Sequence, residues 1–206
     1  ITIGKANGAY TSGFIDEVKL YPFARSAAQV KVEYSMGSVA STGLVSYWKM
    51  DEASGTLADA SGNSNTGTWA GTGASHYTAG KFGNGGGFNG TDDYVSTSAV
   101  TSFNNNSYTY SSWINISSLP AIGNQKVIFS VSDGDQIISV FNDYGGFTGI
   151  AAVSYHGSGN NILQQGTLPS ISTWYHVVST RDSSENTFKL YINGQQIASS
   201  ALGNAT

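Results

Sequence analysis

Oxygen-bearing side chains cluster between residues 51 and 65, where Asp51-Glu52-Ala53-Ser54-Gly55 is followed by Asp59-Ala60-Ser61-Gly62-Asn63-Ser64-Asn65. Carboxylate, amide and carbonyl oxygens on a glycine-containing loop are what a hard cation such as Ca²⁺ takes, about six to eight at a time. The twelve-residue loop with a terminal glutamate that marks an EF-hand is missing. The same side chains can instead close Asx turns on their own backbone. A structural Ca²⁺ site and a set of turns are therefore both open.

Acid–base and nucleophilic chemistry find less support. A glycosidase needs two carboxyl groups flanking the scissile bond, about 5–5.5 Å apart for retention and about 6.5–9.5 Å for inversion. The glutamates are Glu17, Glu33, Glu52 and Glu185, and they form no E-x-D-x-x-E run. The histidines are His76, His156 and His176, no G-x-S-x-G is present, and no motif pairs a serine with a histidine. Their spacing is not that of a metal site. His176 lies in WYHVVS, near Trp174 and Val178. Cysteine is absent, which removes disulfides and thiolate metal sites.

The 206 residues are 12% aromatic and 11% charged, with a net charge of −4 and only nine Lys plus Arg. A chain so poor in charge and rich in Gly, Ser, Thr and Asn is expected to form short strands joined by many turns. Scattered basic residues exclude a nucleic-acid partner, and no apolar run is long enough to insert in a membrane. The composition points to an extracellular or cell-surface protein.

The elements that must position these residues are mostly strands. Leu44, Ser46, Trp48 and Met50 share one face of LVSYWKMDE, and Tyr108, Tyr110, Ser112, Ile114 and Ile116 share one face of YTYSSWINI. Segments 127–131, 136–141, 150–155, 174–181 and 188–193 continue the pattern. Asn193-Gly194 predicts a type I′ hairpin, and Asn89-Gly90 gives the same signal more weakly. Ser26-Ala27-Ala28-Gln29 fits a capping box and predicts a helix over about 26–36, ending near Gly37. In GFIDEVKLY, Ile15 is out of phase with Val18 and Leu20, which a bulge at Asp16-Glu17 reconciles.

The runs GLVSYWKMDEASGTLADASGNSNTGTW, FGNGGGFNGTDDYVS, SYTYSSWINISS and STWYHVVSTRDSSENTFKLYINGQQIASS resemble a laminin-G-like, concanavalin A-type jelly roll. The resemblance implies an all-β, two-sheet antiparallel jelly-roll sandwich with one short helix. In that family SGFIDEVKLYPFARSAAQV closes the sequence, whereas here it stands at residues 12–30. Residues 1–37 thus read as the family's C-terminal strands and helix, 38–43 as a linker, and 44–206 as the sandwich body. Joining Thr206 to Ile1 restores the family order. A permuted closed fold, one frame of a tandem array, and donation of the N-terminal strands to a neighbouring copy all satisfy that order. Phe14, Ile15, Val18 and Leu20 are the strand-docking residues in each case.

By the same resemblance, the D-x-S-G-N loop and the aspartate of the IDEV strand approach one another, so Asp59, Asn63 and Asp16 are the candidate Ca²⁺ ligands. Trp69, Tyr77, Tyr144, Phe147 and Tyr155 lie in or near glycine-rich segments and are candidate carbohydrate-stacking rings, with loop packing as the alternative. The expected function is a non-enzymatic structural or adhesion module that associates with other copies of itself through residues 1–21. A glycan-binding module is the alternative, and a glycosidase a remote one. Four N-x-[ST] matches, at Asn89, Asn105, Asn115 and Asn204, are unremarkable in this composition.

Overall fold

The computed structural model describes residues 1–36, 43–73, 76–97, 107–131, 137–156 and 159–202, with the backbone alone at 137, 155–156 and 159–160. Two antiparallel sheets face one another. The first runs, in spatial order, β14 (Gly159–Gln164), β13 (Phe147–His156), β12 (Ile137–Tyr144), β11 (Asn124–Ser130), β1 (Thr2–Ile3), β9 (Tyr94–Thr97) and β6 (Gly67–Ala70). The second runs β17 (Gln195–Ala201), β16 (Thr187–Ile192), β15 (Trp174–Asp182), β10 (Tyr108–Ile116), β4 (Ser12–Tyr21), β8 (Asn84–Asn89) and β7 (Tyr77–Ala79), and β5 (Ser46–Trp48) also pairs with β4. A hairpin of β2 (Lys5–Ala6) and β3 (Ala9–Tyr10) lies against β11. The two-sheet antiparallel sandwich with one short helix that the resemblance implies is the observed architecture.

The first 21 residues reach the middle of both sheets. Strand β1 sits between β11 and β9, with Ile3 opposite Phe129 and Val95. Strand β4 sits between β10 and β8, with Ile15 opposite Ile114 and Gly86. The groove that these residues can plug is thus filled by the chain's own segment. Ile3, Ile15, Val18 and Leu20 are each fully buried in the main core with Trp48, Tyr110, Ile114 and Phe129. Phe14 is half-buried on the opposite face, 6.5 Å from Trp174.

The phase slip in GFIDEVKLY has a physical form. Glu17 has φ 55°, and the β4–β10 register shifts between Ser111 and Trp113. One extra residue is accommodated there, which turns Ile15, Val18 and Leu20 to the same face.

Helix α1 (Ala27–Met36) packs on the outer face of the second sheet. Ser26 caps it: Gln29 N–H donates to Ser26 Oγ and Ser26 N–H to Gln29 Oε1, at 3.3 and 2.9 Å. Val30 packs on Val178 and Tyr191. The end of the helix near Gly37 and most of the 38–43 linker lie outside the described residues. Because α1 covers the sheet, all nine residues of β10 are buried, although its sequence alternates as if one face met water.

Asn193 and Gly194 both have positive φ and close the β16–β17 hairpin as their types require. Asn89-Gly90 does not make a hairpin. Its flanking strands β8 and β9 belong to different sheets, and Asn89 Oδ1 instead accepts from the N–H groups of Thr91, Asp92 and Asp93.

Candidate functional site

The candidate Ca²⁺ ligands do separate work. Asp59 Oδ1 accepts from Tyr47 N–H and Ser61 N–H, and its Oδ2 from Asn65 N–H, each at 2.9 Å. The Asn63 amide donates to the Leu44 and Val45 carbonyls at 2.9 and 3.0 Å. These bonds fold the 59–65 loop back along β5. Asp16 is elsewhere: its Oδ2 accepts from Lys81 N–H at 2.8 Å and Phe82 N–H at 2.9 Å, holding the turn between β7 and β8. Tyr47, to which Asp59 is bonded, pairs with Lys19, three residues beyond Asp16 on β4. Because the bulge takes up one residue, that offset spans two residues of β10, about 7 Å along the strand. Asp59 closes an Asx turn on Ser61, Ser61 Oγ accepts from Asn63 N–H at 3.3 Å, and Asp59 and Asp16 hold different backbone segments in place. Among the described residues no group of three or more His, Asp or Glu is arranged to hold a metal.

Burial pushes the Asp16 carboxyl up to about 7, with the nearby Glu17 adding to it and the Phe82 and Lys81 N–H groups opposing. A folded-state value above the ordinary one near 3.8 favours the fold most below about pH 4, and that favour is lost as pH rises through 7. The melting temperature is therefore expected to fall between about pH 4 and 7. In Asp16→Asn this slope should flatten, and a melt profile unchanged by the substitution would contradict the assignment.

A buried polar cluster under α1 is the part of the molecule that most resembles catalytic machinery. Glu33 Oε2 is 2.8 Å from Arg25, and its Oε1 is 3.4 Å from Lys19 Nζ and accepts from Ser111 Oγ at 2.9 Å. Lys19 also lies 3.1 Å from Glu17. His176 Nε2 is 3.0 Å from Ser111 Oγ. Since the Ser111 proton is given to Glu33, Ser111 accepts from His176 Nε2–H, the reverse of the proton flow that activates a serine. The carboxylate meets the serine and the same imidazole nitrogen, His176 Nε2 at 3.9 Å, instead of orienting the ring from Nδ1 as a triad acid does. Glu33 and His176 are each 1% exposed, so the cluster is closed to substrate and acts as a clamp between helix and sheet.

The nominated aromatic rings divide between core and surface. Trp69 is stacked on His76 at 4.4 Å and 4°, meets Tyr77 edge-on, and lies 5.0 Å from Phe88. Trp69 and Tyr77 both pack against the main core. Phe147 is half-buried and packs on the small cluster of Val127, Phe141, Ala151 and Val153 beneath the β2–β3 hairpin. The side chain of Tyr155 lies outside the described residues. Tyr144 lines a cleft. It is 45% exposed and stacked on Phe141 at 5.5 Å.

That cleft encloses about 610 Å³ and is formed where the β2–β3 turn, Gly90-Thr91, the 119–126 segment and Tyr144 meet. Its polar walls include Asn7, Thr91, Asn124, Gln125 and Lys126, with Tyr10 beside them. Asn7 and Tyr10 escape a reading of strand patterns because β2 and β3 are two residues each. The signal was nonetheless present: Asn7-Gly8, with φ 49° and 74°, is the same turn pair as Asn193-Gly194. Asn115, one of the glycosylation matches, is buried in β10, and Asn89 donates its amide to Asp92 at 2.7 Å. Asn105 and Asn204 lie outside the described residues. Among the described residues no helix is long and apolar enough to cross a membrane.

A family profile described as the concanavalin A-like lectin/glucanases superfamily, of the laminin-G type, matches residues 89–206. No curated protein matches the chain. A crystal structure from Bacteroides ovatus, of a "putative carbohydrate binding protein", aligns over 99% of this chain and 65% of its own, at 15% identity and a TM-score of 0.28. The chain thus spans less than two thirds of that protein's length. With more than half of its residues matched, from β8's last residue onward, and the two-sheet sandwich in place, the chain belongs to the laminin-G-like branch of the concanavalin A-like lectin and glucanase superfamily.

Proposed function

We propose that the chain is a non-catalytic glycan-binding module of a secreted or surface protein and that its ligand occupies the end cleft. The observation that carries this reading is the cleft itself. Its volume falls in the range of about 300–1,000 Å³ usual for small-ligand sites. Amide and hydroxyl groups line it for sugar hydroxyls, and one exposed tyrosine ring offers a face for stacking. Among the described residues that line it there is no carboxylate to form the acid–base pair of glycoside hydrolysis. Titration with oligosaccharides, followed by amide chemical-shift mapping, is expected to perturb residues 7–10 and 124–126. Tyr144→Ala should weaken binding by about threefold to tenfold, the worth of one stacked ring, with an unchanged melt because the ring is surface-lying. Shifts confined to other regions, or release of hydrolysis products, would contradict this reading.

Self-association is a second reading, favoured by the central position of residues 1–21 in both sheets. A copy whose own segment is undocked presents the same groove to a neighbour, and repeated donation is head-to-tail and open-ended. Light scattering distinguishes the outcomes: a mass of 21.5 kDa at all concentrations speaks against donation, and a growing polymer for it.

A further inference from the structure

The charge inside the cleft is opposite to that of the molecule. The chain carries thirteen acidic residues against nine Lys plus Arg, yet Lys126 is the one charged residue among the groups lining the cleft. Its amine is half-buried, and among the described residues it enters none of the ion pairs. A cation partly withdrawn from water without a counter-charge is costly, and burial accordingly lowers the Lys126 amine below its ordinary value. A second cation stands behind the wall: Lys5 Nζ is 4.3 Å from the Tyr94 ring and 5.4 Å from the Tyr10 ring, and Tyr10 lines the cleft. The nearest acids in sequence to lining residues are Asp92 and Asp143. Asp92 Oδ1 is engaged by Asn89 and Thr72, and Asp143 is exposed.

We infer that the cleft selects an acidic saccharide, with Lys126 receiving the sugar's carboxylate or sulfate while Asn7, Thr91, Asn124 and Gln125 read neighbouring hydroxyls. The inference rests on the glycan-binding reading above and sharpens it. A neutral sugar fills the same volume but leaves the lysine as unpaired as it is in the free protein. An anionic one adds a charge-assisted hydrogen bond, the stronger kind. Lysine suits the task as a point charge on a flexible stem, which accepts either anion without demanding a fixed bidentate geometry.

Calorimetric titration of the intact chain with oligogalacturonate and with its methyl ester isolates the charge, since the two differ only in the masked carboxylate. A second pair, a sulfated galactan oligosaccharide and its desulfated form, identifies which anion is preferred. The acidic member of at least one pair is expected to bind about tenfold tighter. Raising ionic strength from about 50 to about 500 mM should remove most of that preference. Lys126→Gln should abolish the preference, and Lys126→Arg should retain it. The salt titration needs no variant, so it stands even if Lys126→Gln misfolds. Equal binding of charged and neutral members would overturn the inference and leave the glycan reading intact. No binding of any member would overturn both.

Discussion

A chain lacking residues 1–21 is expected to remain unfolded under conditions in which the full chain is folded. Ile3, Ile15, Val18 and Leu20 are all fully buried, and each contributes about 1.5–3 kcal/mol through burial. Their sum, roughly 6–12 kcal/mol as an upper figure, rivals the entire net stability of a domain, about 5–15 kcal/mol. The loss would go beyond side chains. Without β4, strands β10 and β8 lose their shared neighbour, and without β1 so do β11 and β9, which leaves four open strand edges inside the sandwich. A graded form of the experiment is Leu20→Ala, which should cost about 2–5 kcal/mol by emptying part of the core. Urea unfolding followed by far-UV circular dichroism measures both. A truncated chain that still unfolds cooperatively with the parent midpoint would contradict the account.

The second large effect is expected at Glu33. Its carboxylate is shared by Arg25, Lys19 and Ser111 in a region with almost no access to water. Removing it by Glu33→Gln leaves Arg25 buried without its carboxylate partner and Lys19 with Glu17 alone, and breaking a buried ion cluster in this way costs about 3–5 kcal/mol. The double change Arg25→Met, Glu33→Met removes a cation and the carboxylate together, leaves Lys19 with Glu17, and should cost less than the single one. If the single substitution were the milder, the cluster would not be the clamp described here. Burial alone would raise the Glu33 carboxyl, but the bond to His176 and the charges of Lys19 and Arg25 outweigh it and hold the group down at about 2. Its contribution to stability is therefore complete above its ordinary value of 4.5 and is lost as pH falls towards 2. Together with Asp16, whose effect runs the other way at higher pH, Glu33 should place maximum stability between about pH 4 and 5.

What sequence disclosed and what it hid divide along physical lines. Period-two alternation reveals which strand face meets the core, so Tyr108, Tyr110, Ile114 and Ile116 were legible as inward residues. Alternation is blind to a second cover, so the burial of Ser111, Trp113 and Asn115 beneath α1 and its flanks was not. The displaced phase of Ile15 marks a bulge because inserting one residue is the cheapest way to return an apolar side chain to the core. The partners of Glu33 come from β4, the segment before the helix and β10, and no local spacing connects them. The cleft is harder still, being assembled from turns distant in sequence. Tyr144 was visible as an aromatic beside Gly145-Gly146, but Asn7, Tyr10 and Lys126 join it only through the pairing of β11 with its neighbours. The Asp59–Asn63 loop is ambiguous in sequence because the oxygens that suit Ca²⁺ are the same oxygens that accept backbone N–H bonds in turns, as those of Asp59 do.

Everything rests on the N-terminal segment lying inside its own sandwich. Native-state hydrogen exchange on the dilute monomer tests this most directly. The amides of residues 15, 18, 19 and 20 are expected to exchange only through global unfolding, at the same slow rate as those of residues 109–115 across the sheet. Exchange of residues 15–20 within seconds, while 109–115 stay protected, would show the segment outside the core and contradict the account.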